Sequence, residues 1–224
     1  MSLHPDLPRL GAHVEQAGVR FAAFADAPRC QLQLVASDGS AGAELEMQSL
    51  KGSYFELLVS EADAGLLYRF VVEGRSLPDP YARFLPHGVH GPAQVVEAQY
   101  RLEHPRPRRP LREQVLYELH VGTFTEEGTF DAARLRLPAL AELGVTTLEL
   151  MPVAAFDGAR GWGYDGVALF APHAAYGTPD QLRELIDAAH GLGLSVLLDV
   201  VYNHFGPSGN YLSAFSRRYF HRDK

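Results

Sequence analysis

The chain has 224 residues, 46% of them hydrophobic, and a formal net charge of −7. That length suits one large domain or two modest ones, and the acidic balance points away from a nucleic-acid partner. The single cysteine, Cys30, cannot form an internal disulfide and reads as a small buried side chain in a reducing compartment. The N-terminal MSLHPDLPRL has no apolar signal core, and no run approaches the roughly 18 apolar residues of a membrane span, so the expectation is a cytoplasmic protein with no membrane partner.

From residue 10 to about 98, short alternating segments are separated by turn residues. Val19 to Phe24, Gln31 to Val35, Tyr54 to Val59 and Tyr68 to Glu73 are strand candidates, with turns at Ser37-Asp38-Gly39 and at Gly74. This spacing predicts an antiparallel β-sandwich over residues 1–100. Within it, Pro78 to Val96 is rich in Pro, Gly and His. His87 and His90 lie three apart, but a metal site needs three or four ligands and no Cys or acidic ligand is near. The stretch is therefore expected as an ordered loop packed on the next domain. Residues 101–112 (RLEHPRPRRPLR) carry three prolines and five arginines and read as a linker rather than a phosphate-binding run.

After residue 113 the periodicity changes. Val115 to Val121 is a strand candidate. Thr129 opens a helical stretch in which Leu135, Leu140 and Leu143 are expected to share a face, with Pro138 kinking or dividing it, and Gly144 stops it. Val145 to Met151 is a second strand, and Pro152 to Gly177 a long loop. Thr178 as N-cap, Pro179 at the first helical position and Gln181 completing a capping box begin the next helix. Leu182, Leu185, Ile186 and Ala189 line one face, and Gly191 or Gly193 ends it. The run Val196 to Val201 then reads as a third strand, covered on both faces and interrupted by Asp199. A carboxylate there costs several kcal/mol unless it is paired, which asks for a specific reason. Strand–helix–strand–helix–strand is the start of a parallel α/β domain.

Polar groups gather after each strand: His120 and Thr123, then Trp162, Tyr164 and Asp165, then Asn203 and His204. A shared rim at the C-terminal ends of parallel strands is where barrel active sites form. Gly161-Trp162-Gly163-Tyr164-Asp165-Gly166 sets aromatic faces and a carboxylate between glycines. That composition suits a sugar, whose C–H face stacks while its hydroxyls are hydrogen-bonded; it equally suits a loop folded over a core tryptophan. There is no G-x-S-x-G elbow, phosphate-binding loop or Cys-x-x-Cys pair. His13, His173 and His190 are expected to be surface or satisfied histidines without a role.

Asp199-Val200-Val201-Tyr202-Asn203-His204 resembles the first signature motif of the α-amylase superfamily. With VLYELHVGTFT (115–125), GWGYD (161–165), DVVYNHFGPSGNYL and the earlier DPYARFLPHGVHGPAQVV, the chain resembles the malto-oligosyltrehalose trehalohydrolases within it, from about residue 10 onward. The resemblance implies an isoamylase-like β-sandwich followed, over residues 113–224, by the first three β/α units of a (β/α)8 barrel. It also implies hydrolysis, with retention, of the α-1,4 bond next to the trehalose end of maltooligosyl trehalose, the α-glucan being the partner. No cofactor and no metal are implied.

A retaining glycosidase needs two carboxyl groups about 5–5.5 Å apart. The resemblance assigns them to the fourth and fifth strands. About 110 residues follow the linker, against about 250 for a whole barrel, so neither carboxyl group is expected before Lys224 and the chain alone is expected to be inactive. Tyr164 matches an aromatic that stacks under the sugar at the cleavage point, and His204 a histidine that hydrogen-bonds its hydroxymethyl group. Trp162 and Asp165 are the other substrate-binding candidates. Asp199 matches a supporting carboxylate that orients an arginine near the nucleophile, a partner expected to be missing here. Asn203, also supporting, matches a position that binds calcium in many α-amylases, an ion the trehalohydrolases are not expected to need. Two other readings stand beside this one, a debranching or branching enzyme and a glucan-binding module without activity.

Overall fold

The alternating segments of the first hundred residues form two antiparallel sheets. The computed structural model describes residues 7–97 and 100–220; MSLHPD and Lys224, on which two of the expectations above fall, lie outside the described residues. The strands are β1 (Gly11–Glu15), β2 (Gly18–Phe24), β3 (Cys30–Val35), β4 (Ala41–Glu46), β5 (Gln48–Leu50), β6 (Tyr54–Val59), β7 (Leu67–Val72), β8 (Arg75–Leu77) and β9 (Ala93–Gln94). One sheet has the order β1-β2-β6-β5. The other runs β4-β3-β7-β8, with β9 also pairing β7.

Val19, Phe21 and Ala23 of β2 are buried, as a two-residue period requires of one face. Phe21 meets Tyr68 of the other sheet edge-on, ring centroids 4.9 Å apart, an arrangement aromatic quadrupoles favour. Leu32, Phe55 and Phe70 are fully buried with them. The β7–β8 hairpin turns on Glu73 and Gly74, both at positive φ (51° and 74°), which matches the twist of the strands it joins.

The Pro78–Val96 stretch, expected on the next domain, buries Ala82, Phe84, Leu85, Val89 and Val95 within this first unit, Met1–Ala98 with Gly209–Lys224. It also buries Asp79, which accepts from the Tyr68 hydroxyl at 2.6 Å and the Tyr81 N–H at 2.8 Å. Desolvation outweighs these bonds and pushes the Asp79 carboxyl up to about 6.

Residues 209–220, expected as part of the region from 113 to 224, belong to this first unit too. The helical turn Leu212–Phe215 sets Phe215 edge-on to Phe70, centroids 6.2 Å apart. Asp26 accepts from the Ser216 hydroxyl and from the Arg218 guanidinium. These bonds hold the Asp26 carboxyl below its usual range.

The second unit, Gln99–Ser208, is built on three parallel strands in the order β10 (Leu116–Leu119), β11 (Thr147–Leu150), β14 (Ser195–Leu198), in register Leu116↔Thr147↔Ser195. Helix α1 (Val121–Phe124) is one turn. Helix α2 (Phe130–Glu142) runs unbroken through Pro138, capped by Thr129, whose hydroxyl accepts from Ala132 N–H. Its buried face is Phe130, Ala133, Leu137 and Leu140, whereas Leu135 and Leu143 are each 74% exposed. The expected leucine face is therefore wrong: Leu135 lies five residues before Leu140, about 140° around the helix, and Leu143 is past the last turn as C-cap.

The 152–177 segment, expected as loop throughout, contains the antiparallel pair β12 (Ala154–Ala155) and β13 (Ala168–Pro172). Helix α3 (Pro179–Gly191) has the expected capping box, with Thr178 and Gln181 each accepting the other's backbone N–H. Leu148, Leu150, Leu137, Leu185 and Leu194 form the core between sheet and helices.

β14 is not covered on both faces. Leu197, Leu198 and Val200 are 37%, 49% and 45% exposed, and among the described residues β14 pairs only with β11. The expected linker is not free either. His104 N–H donates to Asp187 of α3 at 2.9 Å, and Ser195 Oγ donates to Pro107 O at 3.0 Å, so residues 104–107 are strapped to this unit. No helix among the described residues is long and apolar enough to cross a membrane.

Candidate functional site

Each of the three parallel strands carries one carboxylate near its C-terminal end. Glu118 of β10 and Glu149 of β11 are register partners. Glu149 is paired in turn with Leu197, so Asp199, two residues further on, points to the same face. Among the described residues no arginine pairs with Asp199. Its side-chain partner is Tyr164, whose hydroxyl donates to Asp199 Oδ2 at 3.2 Å. The Tyr164 phenol is raised first by desolvation, then by this bond and the charges of Asp199, Glu118 and Glu149. The carboxylates of all three strands are thus felt at one tyrosine.

The loop that delivers Tyr164 depends on two glycines flanking Trp162. Gly163 has φ +94, and a Cβ there would stand 2.2 Å from Pro152 O; one on Gly161 would stand 2.9 Å from the Phe156 ring. Phe156 is itself held by stacking on His173, centroids 3.8 Å apart. Pressed down on both sides, the loop turns its indole outward: Trp162 is 78% exposed. That removes the alternative of a loop folded over a core tryptophan. Asp165 contributes its main chain, against which Gly206 lies so closely that a Cβ would be 2.1 Å from Asp165 O.

His204 is exposed, and both of its ring nitrogens have partners within the chain. Its Nε2 is 2.8 Å from Tyr164 O, and its Nδ1 is 2.9 Å from the Asn203 amide nitrogen. A carbonyl only accepts and an amide NH2 only donates, so the Nε2–H tautomer satisfies both. His204 thus grips the Tyr164 backbone. In these hydrogen bonds Asn203 meets the Tyr164 loop only through His204. Among the described residues no group of three or more His, Cys, Asp or Glu is arranged to hold a metal ion.

Tyr164 thus meets Asp199 through its hydroxyl and His204 through its carbonyl, and His204 meets Asn203. Trp162 stands apart, at a cavity of about 600 Å³ lined also by His120, Thr123, Met151, Arg160 and Tyr176. Sequence reasoning placed His120 and Thr123 on the rim but gave neither a role, and it missed Glu118, Glu149 and Tyr176. The two glutamates had a signal, an acidic residue inside an apolar strand, the same one that marked Asp199. His13, His173 and His190, expected to be surface or satisfied histidines, are all buried. His13 Nε2 is 2.9 Å from Leu10 O, whereas among the described residues His173 Nε2 and His190 Nδ1 have no hydrogen-bond partner. Burial lowers the His173 imidazole accordingly.

Residues 112–222 match the family model described as alpha amylase, catalytic domain. The chain belongs to the α-amylase superfamily. More narrowly, it is similar to the malto-oligosyltrehalose trehalohydrolase of Deinococcus radiodurans, 54% identical over 187 residues that cover 80% of this chain and 30% of that one. A solved structure described as a putative alpha amylase from Salmonella typhimurium is 46% identical with a TM-score of 0.89, covering 96% of this chain and 37% of the other. A pullulanase from Anoxybacillus sp. LM18-11 in complex with maltotriose is 26% identical with a TM-score of 0.76, over 90% of this chain and 35% of that one. The chain thus spans about a third of the length of these relatives.

Proposed function

We propose that this chain supplies the sugar-facing rim of a trehalose-releasing glycoside hydrolase. The whole enzyme hydrolyses, with retention, the α-1,4 bond next to the trehalose unit of maltooligosyl trehalose. The observation that carries this reading is the joining of Tyr164, Asp199 and His204 at the ends of parallel strands. The similarity to a named trehalohydrolase supports the substrate, and the maltotriose-bound pullulanase supports a glucan of some kind.

In this reading the two sheets of the first unit are an isoamylase-like β-sandwich, and β10, β11 and β14 are the first three strands of a (β/α)8 barrel. Tyr164 stacks under the sugar at the cleavage point, Trp162 and Asp165 contact the glucan, and Asp199 and His204 hold Tyr164 in place. The nucleophile and the acid/base come from strands beyond these three, so residues 1–224 alone bind glucan without cleaving it.

The test is product analysis with maltooligosyl trehalose. Trehalose release by the complete enzyme, and none by residues 1–224, is the expected pair of results. The pullulanase likeness favours a second reading, a debranching enzyme. Cleavage of a branched glucan in preference to maltooligosyl trehalose would select it.

A further inference from the structure

The GWG turn is held from two sides. His204, beyond the end of β14, takes the Tyr164 carbonyl. His120, one residue past β10, takes the Gly161 carbonyl at 2.8 Å through Nε2. A carbonyl accepts only, so His120 Nε2 carries the hydrogen, and Nδ1, 3.2 Å from Thr123 Oγ1, accepts from that hydroxyl. Tyr176 OH donates a longer bond, 3.4 Å, to the same Gly161 carbonyl, and its ring stands edge-on to the imidazole. Gly122 leaves room for this: a Cβ there would be 2.8 Å from the Tyr176 ring and 3.0 Å from the His120 ring.

The carbonyl held by His120 belongs to the residue before Trp162. Between Gly161, gripped on its oxygen, and Gly163, pressed on Pro152 O, the peptide carrying the indole has little freedom, although the indole itself is exposed. We propose that His120 is a positioning residue: its Nε2–H bond to Gly161 O fixes the Trp162 indole at the mouth of the 600 Å³ cavity as a preset face for one unit of an α-glucan. A preset face spares the ligand the entropy of ordering the loop. The ligand rests on the glucan reading above; the positioning does not.

Trp162 is the chain's only tryptophan, so indole fluorescence reports this residue alone. The probe ligand is maltoheptaose, and the variants are His120→Ala, His120→Gln and His120→Asn, each compared with the parent chain in thermal stability and far-UV dichroism. Glutamine places a donor near the Nε2 position; asparagine reaches only as far as Nδ1. His120→Ala and His120→Asn are expected to lose Trp162 anisotropy and gain acrylamide quenching, and to weaken maltoheptaose binding roughly three- to tenfold, the loss of about one hydrogen bond's net worth. His120→Gln is expected to keep the parent values.

Parent-like anisotropy in folded His120→Ala overturns the proposal. So does a loss in His120→Gln as large as in His120→Ala, which would assign the effect to ring packing. If His120→Ala does not fold, His120→Asn carries the same expectations. A parent chain that shows the anisotropy pattern but no response to maltoheptaose leaves His120 as positioning residue and sinks the glucan reading instead.

Discussion

His204 Nε2 lies 2.8 Å from the carbonyl oxygen of Tyr164, forty residues earlier in the chain. Tyr164 in turn donates its hydroxyl to Asp199, five residues before His204. The three residues close a ring across the loop that follows β11 and the loop that follows β14, so they should act as one unit. In the complete enzyme proposed above, Tyr164→Ala is expected to cost on the order of 1–3 kcal/mol in kcat/KM. His204→Ala should cost less, and the double variant no more than Tyr164→Ala alone, because a positioning residue has nothing left to position. Additive losses would show that His204 acts on substrate directly.

Asp79 gives the first unit a pH dependence of the less common sign. Its folded carboxyl, at about 6, lies above the ordinary value of 3.8, so between these values the native state binds more protons than the unfolded chain. Stability is then full below about pH 4, falls as pH rises through 6 and levels off above. That difference corresponds to about 3 kcal/mol of stability. Asp79→Asn keeps an acceptor for the Tyr81 N–H and removes the titration. Guanidinium melts from pH 4 to 7 should be flatter for Asp79→Asn than for the parent; equal slopes would place the pH dependence elsewhere.

The strap over α3 makes a proteolytic prediction. Asp187 accepts the His104 N–H at 2.9 Å, and that bond leads the lowering of its own carboxyl pKa. Asp187→Ala removes the anchor and should raise trypsin cleavage after Arg101, Arg108 or Arg112 about tenfold, as loss of a charge-assisted bond of about 1.5 kcal/mol implies. Arg106 and Arg109 are followed by proline and should stay uncut. Mass spectrometry of a time course reads both statements, and an unchanged rate would mean that the Ser195 bond to Pro107 O holds the strap alone.

Gly158 and Gly163 separate two costs that usually come together. Both sit at positive φ, +89 and +94, but a Cβ on Gly158 meets nothing within 4 Å, whereas one on Gly163 strikes Pro152 O. Gly158→Ala should cost roughly 1–2 kcal/mol, the left-handed conformation alone. Gly163→Ala should cost about 1–3 kcal/mol more and should move Trp162 fluorescence as well. Equal stabilities for the two variants would mean that the loop is not pressed against Pro152.

What was legible in the chain was whatever is specified locally. The start of α3 is written in Thr178, Pro179 and Gln181, which satisfy one another's backbone within one turn. The alternation of β2, β3, β6 and β7 likewise needs no distant partner. β4 was missed because AGAELE is exposed or half-exposed throughout and shows no alternation to read. The α2 face does not follow its leucines, because the helical period puts Phe130 and Ala133 on the core side and Leu135 off it. At the site, GWGYD and Asp199 stood out by composition. His204 did not reveal where its nitrogens go, because its partners come from 40 residues away and from the residue before it.

The first unit also has a history in the order of its synthesis. Asp26 finds its Ser216 partner 190 residues later, and Phe70 also waits for Phe215. At about 5–20 residues per second on the ribosome, that gap is roughly 10–40 s. The whole of the second unit emerges during that wait, and can begin to fold within it. The unit that is made first is therefore the one finished last, and its aromatic core stays open on one side while translation continues.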